Sequence, residues 1–159
     1  MIKKPEEMDF SGKNIIMIIS GLPGVGKTTL ALSAPDVLLI DADEGMARVN
    51  PAHHKDSSIC NTYEELLEDI KAADGHYKTL VIDTCGALID MLKDWAVRTD
   101  TKASKTSGGI SLQGFGIVKT EFLRFSAEVR KKFNVVFLFH ESKEKQDDNV
   151  FYDIVCEGD

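Results

Sequence analysis

Eight consecutive residues, Gly21-Leu22-Pro23-Gly24-Val25-Gly26-Lys27-Thr28, carry the most specific chemistry in the sequence. They fit the spacing G-x-x-x-x-G-K-[ST], in which each fixed position has a task on a polyphosphate. The glycines let successive backbone N–H groups turn inward around phosphate oxygens, in a conformation closed to most residues that carry a side chain. Lys27 is placed to reach the β- and γ-phosphates, and the hydroxyl of Thr28 to sit on Mg²⁺. With Thr29 the loop passes into a helix whose positive dipole end faces the same phosphates. A glycine turn that only mimics the motif would not need a strand before it and a helix after it. Both are present in the pattern.

Other polar groups sit where they can join this site. Asp83 closes the apolar run Leu80-Val81-Ile82, and its expected role is to hold Mg²⁺ through water opposite Thr28. Its plainer role is to cap the next helix. Many nucleotide hydrolases place a glutamate directly after this aspartate; here the residue is Thr84. The group that orients an attacking water must therefore come from elsewhere. Asp43 and Glu44 are the candidates, and the sequence does not choose between them; Asp41, nearer the strand, reads as structural. His140 follows Val135-Val136-Phe137-Leu138-Phe139 and is either a γ-phosphate sensor or an ordinary satisfied polar group. His53 and His54 read as surface, and His76 as a turn residue.

The elements that must position these groups follow from periodicity. Lys13–Ser20, Val37–Ile40, Thr79–Ile82 and Val135–Phe139 read as buried strands, and Val150–Val155 as a fifth, edge strand. Helices are expected from Lys27 to Ser33, Thr62 to Ala73, Leu88 to Val97 and Ile117 to Lys132. In the second, Thr62-x-x-Glu65 forms a capping box and Leu66, Leu67 and Ile70 share one face. Strands that are continuous apolar runs and alternate with helices predict an α/β fold with a mostly parallel sheet covered on both faces. Such sheets bind ligands at the carboxyl ends of their strands, where the phosphate loop, Asp43/Glu44, Asp83 and His140 all fall.

At 159 residues the chain is read as one domain, residues 1–159, with one core. A hydrophobic content of 43% excludes a disordered chain, and the longest apolar run, Ile15–Ile19, is far too short to span a bilayer. Met1–Glu7 lacks the apolar stretch of a signal peptide. Cys60, Cys85 and Cys156 form no CxxC pair and are odd in number, which suits thiols in a reducing cytoplasm. The net charge of −7 argues against a uniformly basic surface but not against a local one. From Arg98 to Lys119, Arg98, Lys102, Lys105 and Lys119 face a single acid, Asp100. That segment also holds Gly108-Gly109 and Gly114-Phe115-Gly116, so it reads as a flexible loop in which Phe115 has the chemistry to stack on a base. A plain surface loop is the simpler reading. The loop Glu141–Asn149 mixes lysines with acids, and its charge does not single out DNA.

The order of elements resembles the RecA-like core of the P-loop NTPases. It looks closest to phage-encoded nucleotide-binding ATPases linked to single-strand DNA recombination. The matching pieces are Gly21–Thr29, Ile40-Asp41-Ala42-Asp43-Glu44-Gly45, Leu80-Val81-Ile82-Asp83-Thr84 and Phe137-Leu138-Phe139-His140-Glu141, and together they cover most of residues 13–155. The resemblance implies a three-layer fold, ATP and Mg²⁺ as ligands, a catalytic acid at Asp43 or Glu44, and a sensor at His140. It implies single-stranded DNA contacts through Thr99–Gly116 and Glu141–Asn149. It also implies a homo-oligomeric ring or filament with nucleotide between subunits. Two departures stand out: the chain stops soon after its fifth strand, as a truncated or minimal core would, and no basic residue is evident for reaching into a neighbour's site.

Two other functions fit the same motif. In a small-molecule or nucleotide kinase, Asp41-Ala42-Asp43 would hold an acceptor hydroxyl and Thr99–Gly116 would form a lid. Such lids use several arginines on the transferring phosphoryl, and this segment has none. A nucleotide-binding regulatory module with little catalysis is the third reading. No N-K-x-D guanine-reading motif is present, which favours ATP over GTP.

Overall fold

A computed structural model of the chain describes Lys4 and residues 12–105, 108–146 and 149–155. Residues 156–159 with Cys156, the start Met1–Lys3 with residues 5–11, and positions 106, 107, 147 and 148 of the two loops lie outside the described residues. The strands are β1 (Ile16–Gly21), β2 (Val37–Asp41), β3 (Ser57–Ser58), β4 (Thr79–Asp83), β5 (Asn134–Gln146) and β6 (Asn149–Val155). The helices are α1 (Lys27–Ala31), α2 (Tyr63–Ala73), α3 (Cys85–Thr99) and α4 (Leu112–Val129). The sheet order is β1-β5-β4-β2-β3, with every neighbour in that series parallel. The expected α/β architecture with a mostly parallel sheet is what forms.

Alternation along the strands divides the core. Leu38, Ile40, Leu80, Ile82, Val135 and Phe137 point to the face covered by α2, α3 and α4. Leu39, Val81, Val136 and Leu138 point to the opposite face, against Ala31, Leu32 and Val49. Both faces are covered over β2, β4 and β5, but β1, read from the sequence as buried, is an edge strand with Ile16, Met17 and Ile18 exposed. On the second face α1 has five residues, two fewer than the sequence suggests. So short a helix adds little dipole, and the work at the phosphate loop falls to individual N–H groups and side chains.

Three departures from the sequence reading have local causes. In α2 the buried positions are Tyr63, Leu66, Ile70 and Ala73, spaced three and four apart, while Leu67 is exposed. Thr62 accepts the Glu65 N–H at 3.2 Å, but Glu65 returns to the N–H of Asn61 rather than Thr62. α3 begins at Cys85 because Thr84 caps it, accepting from the Ala87 N–H at 3.4 Å. α4 begins at Leu112, so Gly114, Phe115 and Gly116 are helical rather than loop. Ser111 caps that helix by accepting the Gly114 N–H at 3.0 Å. A β-carbon on Gly114 would lie 2.6 Å from the Ala103 carbonyl oxygen and 2.5 Å from Ile110 Cγ1. This glycine thus serves a close approach, not flexibility.

The loop Glu141–Asn149 is also replaced. β5 continues through Gln146 and pairs antiparallel with β6 from His140↔Val155 to Gln146↔Asn149. The segment is a β-hairpin that projects beyond the parallel sheet. Among the described residues, no helix is long and apolar enough to cross a membrane.

A buried polar cluster ties α2 to α4. Tyr63 donates to Glu121 at 2.7 Å, and Arg124 donates to both oxygens of the same carboxylate at 2.9 and 2.7 Å. The Tyr63 ring lies edge-on to Trp95 and Phe125. Burial pushes the Glu121 carboxyl up, but the hydrogen bonds from Arg124 and Tyr63 outweigh it and hold the group below the ordinary glutamate range. The stability this contributes is present above the ordinary range and is lost as pH falls through the lowered value. Tyr63→Phe, which removes a donor to that carboxylate, should cost about 1–2 kcal/mol near neutral pH. Its deficit against the parent should shrink in acid, as chemical denaturation at pH 7 and pH 3 will show.

Candidate nucleotide-binding site

The site is built where the strand order brings separate elements to one edge. The register places Gly21, at the end of β1, beside His140 of β5, and Asp41 of β2 beside Asp83 of β4. Between β1 and α1 the chain turns through Gly24 at φ 80° and Gly26 at φ 91°. These left-handed angles are strained for any residue with a β-carbon. The loop therefore needs glycine at both positions for conformation, although a β-carbon at either would meet nothing.

Lys27 follows as the first residue of α1 and is only 8% exposed. Its ammonium donates to the carbonyls of Gly21 at 2.9 Å and Leu22 at 3.1 Å, and lies 3.4 Å from Nδ1 of His140. Burial pulls Lys27 below the usual lysine value, opposed by the charges of Asp83 and Glu141. An ammonium can only donate, so in this contact Nδ1 of His140 is the accepting side.

Thr28 donates to Asp83 Oδ2 at 2.7 Å. Asp83 is 4% exposed. Burial raises its carboxyl above the ordinary aspartate range, the Asp41 and Asp43 charges add to this, and the Thr28 hydrogen bond and His140 oppose it. A buried carboxylate beside a threonine hydroxyl suits a divalent cation. Among the described residues no cluster of three or more His, Cys, Asp or Glu side chains could cage a metal.

The acidic turn after β2 sorts into distinct tasks. Asp41 accepts the N–H groups of Gly45 at 2.7 Å and Met46 at 3.0 Å, which folds the 3-10 turn Gly45–Arg48 back over the strand end. Asp43 lines the cleft, with its Oδ2 3.9 Å from Nε2 of His140 and 2.7 Å from the guanidinium of Arg48. Glu44 takes a left-handed φ of 49°, stands at the N-cap position of the turn without a side-chain hydrogen bond to it, and does not line the cleft. The structure thus brings Lys27, Thr28, Asp83, Asp43 and His140 together and leaves Glu44 outside.

The cleft has a volume of about 880 Å³ and runs from the phosphate loop past Asp83 to Ala87, Asp90 and Asp94 of α3. Sequence reasoning missed two parts of this lining. One is the acidic side of α3. The other is Arg48, whose only signal was an arginine within one turn of a strand-end acid. The two segments expected to contact DNA lie differently. Glu141 and Ser142 border the cleft, and Ser20 donates to Glu141 at 2.6 Å. None of the described residues of the segment 99–116 lines it. That segment is folded by the Ser111 N–H bond to Ala103 O at 2.7 Å and the Ser111 hydroxyl bond to Lys102 O at 2.6 Å. Arg98 is taken up by Glu64 at 3.0 Å, which reduces the local positive excess.

No curated protein matches the chain. A family model described as an AAA domain matches residues 13–154, which includes the phosphate loop, all six strands except the last residue of β6, and all four helices. An AAA-type domain points to a nucleotide-binding ATPase, in keeping with the converged cleft. The chain belongs to the AAA domain family, with a P-loop NTPase-like fold.

Proposed function

We propose that the chain is a RecA-like ATPase that binds Mg-ATP in this cleft and acts on single-stranded DNA in phage or bacterial recombination or repair. The observation that carries the ATPase reading is the convergence of Lys27, the Thr28–Asp83 pair and the Asp43–His140 pair on one cleft. Asp83 and Thr28 would hold Mg²⁺, which supplies neutralising charge to the phosphates. Lys27 binds phosphate oxygens, exchanging its carbonyl partners for stronger anionic ones. Asp43 accepts a proton from water as that water bonds to the γ-phosphorus. The bond from that phosphorus to the bridging oxygen breaks, and its electron pair leaves with ADP. His140, with Lys27 at one nitrogen and Asp43 toward the other, links the occupied phosphate site to the acid.

Support for DNA is separate and thinner. Lys102, Lys105 and Phe115 are exposed at the far end of α3 and the start of α4. If these residues form a single-strand track, neutralising Lys102 and Lys105 should weaken binding of any sequence equally. It should also flatten the salt dependence, by roughly 0.7 for each phosphate that is no longer neutralised. Phe115→Ala should weaken binding by about 1–3 kcal/mol without flattening that slope. Fluorescence anisotropy with a labelled oligonucleotide over several salt concentrations reads both effects. Self-assembly draws support from exposed Ile16, Met17 and Ile18 on β1 and Phe151, Tyr152 and Ile154 on β6.

The deciding measurement is ATP turnover with and without single-stranded DNA, run beside a panel of nucleosides and nucleotides. Stimulation by DNA is expected. The cleft's extension to Asp90 and Asp94 leaves room for an acceptor. Phosphorylation of a panel member, with no effect of DNA, would replace this reading with the kinase one.

A further inference from the structure

We infer that Arg48 is the γ-phosphate contact this chain supplies to its own site, and that Asp43 holds it in place until a triphosphate draws it away. The inference rests on the proposed reading of the cleft as a nucleoside-triphosphate site. Among the described residues, Arg48 is the arginine that lines this cleft, together with Lys27, Thr28, Asp83 and His140. Arg98 and Arg124 are engaged elsewhere, by Glu64 and Glu121.

Three features place the guanidinium for this task. The turn that carries it is pinned at its start by the two N–H bonds to Asp41 and at its end by the buried Val49. Gly45 keeps the space beside it open. A β-carbon there would lie 3.5 Å from Arg48 Nη2 and 3.1 Å from Asp83 Oδ2, so the guanidinium and the metal-site carboxylate flank the same bare α-carbon. The contact that holds Arg48 is also a weak one. Its partner is a single carboxylate oxygen, Asp43 Oδ2 at 2.7 Å, and the two side chains are 66% and 40% exposed. Exposed pairs of this kind are held by little net free energy.

A γ-phosphoryl group offers what Asp43 does not. Its several oxygens match the planar guanidinium fork bidentately and carry more charge. ADP lacks that group and leaves Arg48 on Asp43. One exchange of partners therefore does two things: it distinguishes ATP from ADP, and it frees the Asp43 carboxylate when a water must be activated.

The test is calorimetry with a non-hydrolysable ATP analogue and with ADP, each with Mg²⁺, on the parent, Arg48→Ala, Asp43→Asn and the double variant. Melting temperatures check that each is folded. Arg48→Ala should weaken the analogue about tenfold or more and leave ADP unchanged. Asp43→Asn should tighten the analogue, because Arg48 is released, and the double variant should lose that gain. Equal losses for both ligands in Arg48→Ala, or no loss for either, overturn the inference. So does a gain from Asp43→Asn that persists without Arg48, since general relief of negative charge then explains it. A parent that binds neither ligand overturns this inference and the proposed function together. A parent that binds both with an unaltered preference in Arg48→Ala overturns this inference alone.

Discussion

Replacing Lys27 with alanine is expected to remove most of the affinity for Mg-ATP, about a hundredfold, while the circular dichroism spectrum stays that of the parent. The size of the loss follows from what the ammonium does. It is a buried, charged donor at the mouth of the glycine turn, and hydrogen bonds to charged groups contribute about 1.5–3 kcal/mol each. The survival of the fold follows from where the side chain lies. Its partners are the carbonyls of Gly21 and Leu22 in the phosphate loop and the ring of His140 in the cleft wall, and no part of it belongs to either apolar cluster. The sign of its titration agrees. Burial lowers the Lys27 value, so the folded chain binds this proton less readily than the unfolded chain. Stability then rises with pH between that lowered value and the ordinary one, and below that window the charged lysine is a burden. Its removal relieves that burden. Calorimetric titration of the variant with Mg-ATP, beside its spectrum, is the check. Unchanged binding with an unchanged spectrum would remove the central assignment.

The phosphate loop and the sheet were legible in the sequence for different physical reasons. The loop is a local object: its strained angles at Gly24 and Gly26 admit few residues, so the spacing alone identifies it. The strands were legible because β2 and β4 are buried on both faces and must be apolar throughout. What escaped depends on contacts between distant residues. Gly114 reads as a loop residue until Ala103 and Ile110 are seen against it. The extension of β5 past His140 reads as a loop because it leaves the apolar sheet and carries charged residues, as a solvated ribbon permits, whereas its partner β6 was already legible as an edge strand. Arg48 could not be placed, since its position depends on Asp41 folding the following turn back over the strand end. The same fold separates Asp43 from Glu44, adjacent residues that no periodicity argument could distinguish.

That separation makes the sharpest test of catalysis a comparison of neighbours. Asp43→Asn should keep nucleotide binding and slow hydrolysis by about 10²-fold or more, because an amide cannot accept the proton of the attacking water. The position of Asp43 motivates this. It lines the cleft, faces the Nε2 side of His140 at 3.9 Å, and pairs with Arg48 at 2.7 Å. Glu44 lies one residue on, with a left-handed backbone at the N-cap position of the turn, and it stands outside the cleft wall. Steady-state turnover of Asp43→Asn and Glu44→Gln, measured once the parent shows activity, distinguishes the two. A large loss in Glu44→Gln with none in Asp43→Asn would move the acid to the neighbouring residue and require the turn to rearrange on binding. Parent rates in both would remove the carboxylate mechanism altogether, since the position after Asp83 holds Thr84, which caps α3, and not a carboxylate. Binding measured on the same variants keeps the result interpretable. A variant that holds ATP but does not turn it over has lost a group needed in the transition state and not in the ground state.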